Sequence, residues 1–386
     1  MTPLHIVTSE YPPQIGGVSD YTCQIAEALA CRGEEVHVWC PSLSRPRSES
    51  GVHVHPDLGH FQPSALERVS DLLDAFPSPR RLLVQWVPHG YGYRSMNVAF
   101  CLWLARRAAH GDIVELMVHE PFNEMTSWPL RHAVIAIVHR VMTRILMGAV
   151  SRVWVSIPAW ESMLRPYARG RDVRIDWLPI PAAVESLSAS MSSIREKYTS
   201  RSLVGHLSSY GDEVSSLLVR RLAPIMDCDA APVLLLIGAR SDRFRDALIA
   251  QYPTWSARVH ATGRLLTTEL ASYVSACDLL LQPYPDGITS RRTSAMAALS
   301  LGRPIVTTTG HLTERLWADS GAVALANVTD VDGFAAAAIR LMSDADARSR
   351  LGQQGQRVYR EHFSVARVID ALSSRDRSVG DLLSCA

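Results

Sequence analysis

The sequence predicts an α/β protein made of two successive Rossmann-like halves, each a parallel sheet flanked by helices. Three observations carry that expectation. Short β-branched runs alternate with helix-length segments from the first residues onward, the pattern of parallel sheets with crossover helices. The alternation breaks once, over a serine-rich stretch, and then restarts. At 386 residues, with 47% hydrophobic and 20% charged, the chain suits two domains and has enough apolar material for two cores.

Taken in order, residues 4–9 read as a first strand, followed by a turn-rich loop and a helix over 21–32 that stops at Gly33. Strands follow at 35–40, 81–87, 113–119, 152–157 and 174–178, with helices over 65–75, 97–109 and 130–147 between them. Residues 185–202 contain seven serines and little periodicity, so 184–202 reads as a linker between a first domain over 1–183 and a second over 203–360. The second half repeats the rhythm, with strands at 203–207, 233–237, 258–262, 279–282 and 304–308. Helices alternate with them near 214–224, 268–276 and 293–301. The tail over 331–383 reads as helical, with Gly352 and Gly355 as breaks, and 361–386 forms a terminal helical segment.

Composition excludes several classes. Lys+Arg at 39 against Asp+Glu at 38 leaves a net charge of +1, which offers no footprint for nucleic acid. Lys197 is the only lysine and has no glycine loop around it, which disfavours both a P-loop and a Schiff-base enzyme. The seven cysteines are widely spaced with no C-x-x-C pair, so neither a disulfide framework nor a zinc knuckle is expected. No signal peptide or membrane-length apolar run is present, and a reduced cytoplasm is the expected location. Residues 130–150 are apolar with Arg131, His139, Arg140 and Arg144 interspersed. They admit two readings: a helix on the inner face of an anionic bilayer, a peripheral contact, or a buried domain helix with one wet edge.

Three loops are candidates for chemistry. The first contains Gly16-Gly17 ahead of a helix that includes Tyr21; adjacent glycines allow close backbone approach, and a helix start offers N–H groups to an anion. A plain surface turn would use the same residues. The nicotinamide fingerprint G-x-G-x-x-G is absent here and after residues 233–237, which disfavours a dehydrogenase. The second is His119-Glu120 at the carboxyl end of a strand, where ligands of open α/β sheets bind. A histidine bonded to a loop carbonyl is the alternative. The third and most specific runs from Pro283 to Ser294 and joins a buried strand to a helix. It combines Asp286, Arg291, Arg292, Thr293 and Ser294. Arginine grips phosphate oxygens in bidentate fashion and the helix end adds donors, so a diphosphate suits this loop. Solvated arginines beside a simple helix cap are the competing reading. The three Asp-x-Asp pairs, Asp227/Asp229, Asp330/Asp332 and Asp344/Asp346, read as caps and turns, and no metal is expected.

On these residues the sequence resembles the family 4 type of GT-B glycosyltransferases over nearly its whole length. The opening strand–Pro-Pro–Gly-Gly–helix block, His119, Leu178-Pro179-Ile180-Pro181, Gly263 with its following helix, Ala276-Cys277-Asp278-Leu279, the 283–294 loop, Gly302-Arg303-Pro304-Ile305-Val306, Glu314 and Glu361-His362-Phe363-Ser364 carry the likeness. The family's two glutamates seven residues apart are Asp286 and Ser294 here, giving a donor loop Asp-Gly-x-x-Ser-Arg-Arg-Thr. The family's arginine and lysine on the first loop of the second domain are missing from residues 205–211. Arg291 and Arg292 are the expected replacements, with Arg240 or Arg264 as outside candidates.

The resemblance implies two Rossmann-like domains facing a cleft, an acceptor domain followed by a donor domain, and a C-terminal helix returning to the first. It implies a retaining, metal-independent transfer of a hexose-like sugar from a nucleotide-diphosphate sugar, used as co-substrate with no other cofactor, to an unidentified glycan, lipid-linked or small-molecule acceptor. His119 and Asp286 are the expected catalytic residues. Gly16, Gly17, Arg291, Arg292, Thr293, Ser294, Arg264 and Glu314 are expected on the donor, and Glu120 and Tyr21 on the acceptor side. Two other expectations stand beside this one: a GT-B-fold nucleotide-sugar epimerase or hydrolase using Glu120 and Glu124, and a non-catalytic partner of another glycosyltransferase.

Overall fold

The computed structural model describes residues 2–42, 51–125, 130–182, 191–198 and 201–374. The chain forms two compact units, residues 1–179 with 365–386, and residues 180–364.

The first unit is built on seven parallel strands: β1 (Leu4–Val7), β2 (Val36–Trp39), β3 (Val52–His55), β4 (Arg81–Trp86), β5 (Ile113–Val118), β6 (Arg152–Val155) and β7 (Arg174–Trp177). Their order is β3-β2-β1-β4-β5-β6-β7. Helices α1 (Gly17–Cys31), α2 (Pro63–Asp74), α3 (Val98–Ala109), α4 (Leu130–Met147) and α5 (Ala159–Leu164) connect them. Strands covered on both faces read as near-continuous apolar runs, and β1, β2 and β4 are buried along their whole length. Helix α1 forms because Tyr21, Ile25, Ala26 and Leu29 recur at three- and four-residue spacing and bury one face. At the amino ends of the strands ion pairs brace the sheet. Arg81 forks onto Glu115 at 2.8 and 3.1 Å, Trp154 donates to the same carboxylate at 3.0 Å, and Arg80 and Arg107 converge on Asp112.

The second unit begins with α6 (Met191–Lys197) and holds six parallel strands: β8 (Leu203–Leu207), β9 (Val233–Ile237), β10 (Val259–Ala261), β11 (Leu279–Gln282), β12 (Ile305–Thr309) and β13 (Ala324–Asn327). The order is β10-β9-β8-β11-β12-β13. Helices α7 (Asp212–Met226), α8 (Ser241–Gln251), α9 (Thr267–Ala276), α10 (Thr293–Ser300), α11 (Arg315–Ser320), α12 (Val331–Ser343) and α13 (Ala345–His362) complete it. Its core packs Leu218, Leu222 and Ile225 of α7 against Leu234, Leu236, Leu279, Leu281 and Phe334. Helix α14 (Val365–Ser373) then belongs to the first unit, where it packs on α1 through Val368, Ile369 and Leu372, with Arg32 paired to Asp370. Together these sheets and helices have the GT-B architecture of two Rossmann-like units.

Several elements differ from the sequence expectation. Strand β3, helices α8 and α11 and strand β13 lie where none was expected. Of the serine-rich stretch, residues 183–190 and 199–200 lie outside the described residues, while Met191–Lys197 is helical and packs on α9. The tail does not break at its glycines. Helix α13 runs straight through Gly352 and Gly355, and the interruptions fall at Asp344 and at 363–364. Both glycines serve close packing instead: a Cβ on Gly352 would lie 2.2 Å from the Gly302 carbonyl oxygen, and one on Gly355 2.7 Å from Leu299. The expected helix over 375–383 lies outside the described residues.

Candidate active site

In open α/β sheets, ligands bind beyond the carboxyl ends of the strands where the strand order reverses. In the second unit that point lies between β8 and β11, so the loops over 208–211 and 283–292 flank it. The two loops differ sharply in charge. Helix α7 carries Asp212 and Glu213 in its first turn, an unfavourable place for an anion. Helix α10 has no acidic residue in its first turn and no side-chain cap, and Thr293 at its start is exposed. The positive end of the helix dipole lies at this loop, and of the first-turn N–H groups that of Ala295 is taken by the Tyr284 hydroxyl.

Arg291 and Arg292 precede that helix. Asp286 holds both: Arg291 Nη2 donates to Oδ2 at 3.1 Å, and Arg292 Nη2 pairs with Oδ1. The three side chains are only 15–23% exposed. Arg292 also lies over the Tyr284 ring, 4.7 Å from its centroid, while the Tyr284 hydroxyl meets Ser294 Oγ at 2.8 Å. Asp286, Arg291, Arg292, Thr293 and Ser294 are thus brought together. The turn at Gly287 lies against the loop after β12, because a Cβ there would sit 2.3 Å from the Gly310 nitrogen.

Glu314 reaches this loop from below. Its Oε1 accepts from Ser290 N at 2.8 Å and Ser290 Oγ at 2.6 Å, and its Oε2 accepts from Trp317 Nε1 at 2.7 Å. Burial pushes its carboxyl above the usual range, against the pull of those donors. Both oxygens are engaged with protein, so Glu314 braces the loop. Arg264 is exposed after β10, and Arg240 starts α8 with its Nε donating to the Ser209 carbonyl at 2.8 Å. Neither is drawn into the Asp286 cluster.

The corresponding point of the first unit lies between β1 and β4. Here Gly16 and Gly17 open α1, but its leading N–H groups already have an acceptor: Glu10 Oε1 takes Val18 N at 3.0 Å and Ser19 N at 2.9 Å. A Cβ on Gly16 would lie 2.1 Å from that oxygen, whereas one on Gly17 meets open space. Gly16 therefore makes room for an internal carboxylate cap. The residue that does this, eight positions from Val18, went unnoticed in the sequence.

His119 follows β5. Its Nε2 lies 2.9 Å from Gln85 Oε1, and its carbonyl accepts from Ser156 Oγ and Trp160 Nε1. Tyr21 packs edge-on against the ring, with centroids 5.0 Å apart, and its hydroxyl is buried without a partner among the described residues. The residue is largely buried, and desolvation pushes its pKa down to about 3. It is a neutral imidazole at pH 7, and with Gln85 Oε1 as acceptor the proton sits on Nε2. Glu120 points toward His89, 3.7 Å away. Of the Asp-x-Asp pairs, Asp330 and Asp344 cap α12 and α13, and Asp227 accepts from Trp255. Among the described residues no group of three or more His, Cys, Asp or Glu side chains is placed to hold a metal ion.

Residues 202–344, covering most of the second unit, match the family described as Glycosyl transferases group 1. The chain is 24% identical over 358 residues to a phosphatidyl-myo-inositol mannosyltransferase of Mycolicibacterium smegmatis, covering 91% of this chain and 87% of that one. Among solved structures it superposes on a sucrose-phosphate synthase from Thermosynechococcus elongatus with a TM-score of 0.76 at 16% identity, over 100% of both chains. Anabaena HepE in complex with UDP-glucose gives 0.65 at 14% identity, over 99% of this chain and 100% of that one. Family match and fold together support a GT-B glycosyltransferase.

Proposed function

We propose that the chain is a retaining glycosyltransferase that takes its sugar from a nucleotide-diphosphate donor held by the second unit. One observation carries the reading: Arg291 and Arg292 stand before the start of α10, whose first turn has no acidic residue, beside the point where the strand order reverses. The group-1 match over this unit, the mannosyltransferase relative and the neighbour solved with UDP-glucose support a nucleotide-sugar donor.

In the free chain the Asp286 carboxylate occupies both guanidinium groups, much as a phosphate would. A donor diphosphate replaces that pairing with two charge-assisted contacts of its own and adds the helix N–H groups. Negative charge grows on the leaving diphosphate as the sugar–oxygen bond breaks, and two fixed cations and a helix end stabilise it without a metal. Asp286, released, accepts hydrogen bonds from the sugar hydroxyls. His119 contributes a neutral ring with Nδ1 available as an acceptor, which orients a hydroxyl without adding charge. Attack from the face the diphosphate leaves, with no protein nucleophile, retains the anomeric configuration. The acceptor proton passes to the departing phosphate oxygen.

Titration with UDP, GDP and ADP, followed by incubation with their sugars, tests this reading. Arg291→Ala and Arg292→Ala should each weaken the diphosphate by roughly 10- to 150-fold, as loss of a charge-assisted hydrogen bond does, and leave the nucleoside little affected. If both variants stay folded and bind as wild type, the site is wrong. A changed sugar still joined to the nucleotide would identify an epimerase instead. Binding with no turnover, and stimulation of a second enzyme, would identify a non-catalytic partner.

A further inference from the structure

Nine large apolar side chains are exposed among the described residues, and four of them lie on the packed pair α3 and α4: Leu102, Val134, Ile137 and Val141, each 44–53% exposed. On α4 the three fall at positions i, i+3 and i+7, which is one helical face. The opposite face of α4 is also apolar, with Ala136, Met142, Leu146 and Met147 buried in the first unit. A surface helix of a soluble domain ordinarily turns charged residues to water; this one turns valine and isoleucine.

The charges on the two helices have one sign. Neither helix contains an aspartate or glutamate, and Arg131 and Arg144 stand exposed at the two ends of the stripe. Beside it an open groove of ≈ 650 Å³ is lined by Ala105 and Ala108 of α3, Val141 and Arg144 of α4, and Tyr167 and Arg171 of the segment after α5. No helix among the described residues is long and apolar enough to cross a membrane.

We propose that the exposed face of α3 and α4 lies on an anionic lipid bilayer. The chemistry favours a bilayer over a protein partner on two counts. The exposed apolar groups of the two helices are all aliphatic, with no tryptophan, tyrosine or phenylalanine among them to act as the anchors that concentrate binding energy at protein interfaces. The polar groups are arginines, whose long stems lie along apolar surface while the head reaches phosphate oxygens. Valine and isoleucine enter only the boundary between headgroups and acyl chains, and the arginines supply attraction to anionic lipid. The attachment is therefore shallow, reversible and sensitive to salt. It does not depend on the donor-site reading.

Sedimentation of the full chain with large vesicles tests it, using phosphatidylcholine alone and with 30% phosphatidylglycerol. Binding is expected to the anionic vesicles only, and to weaken in 0.5 M NaCl. Each neutralised arginine near such a surface weakens partition roughly fivefold, so Arg131→Gln with Arg144→Gln should reduce it about 25-fold. Ile137→Asp with Val141→Asp should reduce it at least tenfold, with melting temperature and nucleotide binding unchanged. The arginine pair keeps the test decisive should the aspartate pair not fold. Failure of the wild type to sediment with anionic vesicles, equal binding to both lipid mixtures, or arginine variants that partition like wild type would each overturn the proposal. So would a concentration-dependent dimer abolished by the aspartate pair, because it assigns this face to a second copy of the chain.

Discussion

Replacing Glu314 by glutamine separates a brace from a ligand contact. In the folded chain this carboxylate accepts three hydrogen bonds, two from Ser290 and one from the fully buried Trp317 indole. Glutamine keeps one oxygen, which continues to serve Ser290, and turns an NH2 group toward the Trp317 N–H. Two donors then face each other in a buried site. Leaving such a donor unsatisfied costs about 1–3 kcal/mol, while the lost charge assistance is offset by relief of the burial that already disfavours the carboxylate. For a domain of 150–250 residues each kcal/mol shifts the melting temperature by roughly 2–4 °C, so the variant should melt about 2–12 °C early by calorimetry. Below that temperature nucleotide binding should change less than threefold, since Ser290 keeps its acceptor. Melting within 2 °C of wild type together with lost nucleotide binding would refute the reasoning and make Glu314 a ligand contact.

Acid should weaken both units. Burial holds the pKa of His5 near 3 and that of His206 near 4, below the ordinary 6.5. The unfolded chain therefore binds these protons first, and stability present above pH 6.5 is lost as pH falls toward 4; at pH 5 each histidine accounts for about 2 kcal/mol. Urea midpoints at pH 7.5 and 5.0 measure the loss, and equal midpoints would contradict it. Gly17→Ala, whose Cβ meets open space, should leave the melting temperature unchanged or slightly raised. Gly352→Ala drives a methyl against the Gly302 carbonyl oxygen and should cost about 1–3 kcal/mol or more. Glu10→Ala removes the acceptor of Val18 N and Ser19 N and should cost about 0.5–2 kcal/mol, with faster hydrogen exchange at those two amides as the specific readout.

Much of the sheets was legible because their strands are short and mostly apolar: 203–207, 233–237 and 279–282 match the structure residue for residue, although the first includes Gly205 and His206. Strand β3 was hidden because Val52-His53-Val54-His55 follows no apolar run, and its histidines belong to a stacked ladder with His37 and His5 that only the parallel register creates. Helix α8 was hidden for the opposite reason: it is mostly polar and buries little beyond Leu248. In the donor loop the sequence named the residues but not their couplings. Asp286 to Arg292 is a contact across a turn, and Ser290 to Glu314 spans 24 positions, so both depend on the fold that brings them together. Glu10 was missed because a carboxylate capping a helix from eight residues upstream leaves no local pattern.

The first unit includes both the opening residues of the chain and α14. A ribosome releases residues 1–179 first, yet the face of α1 that meets Val368, Ile369 and Leu372 stays uncovered until 365–373 have emerged. The second unit, contiguous from 180 to 364, completes its own sheet before then. The unit that is made first is thus the one that is finished last, and translation of the whole intervening unit is the interval during which its outer surface must be kept from other chains.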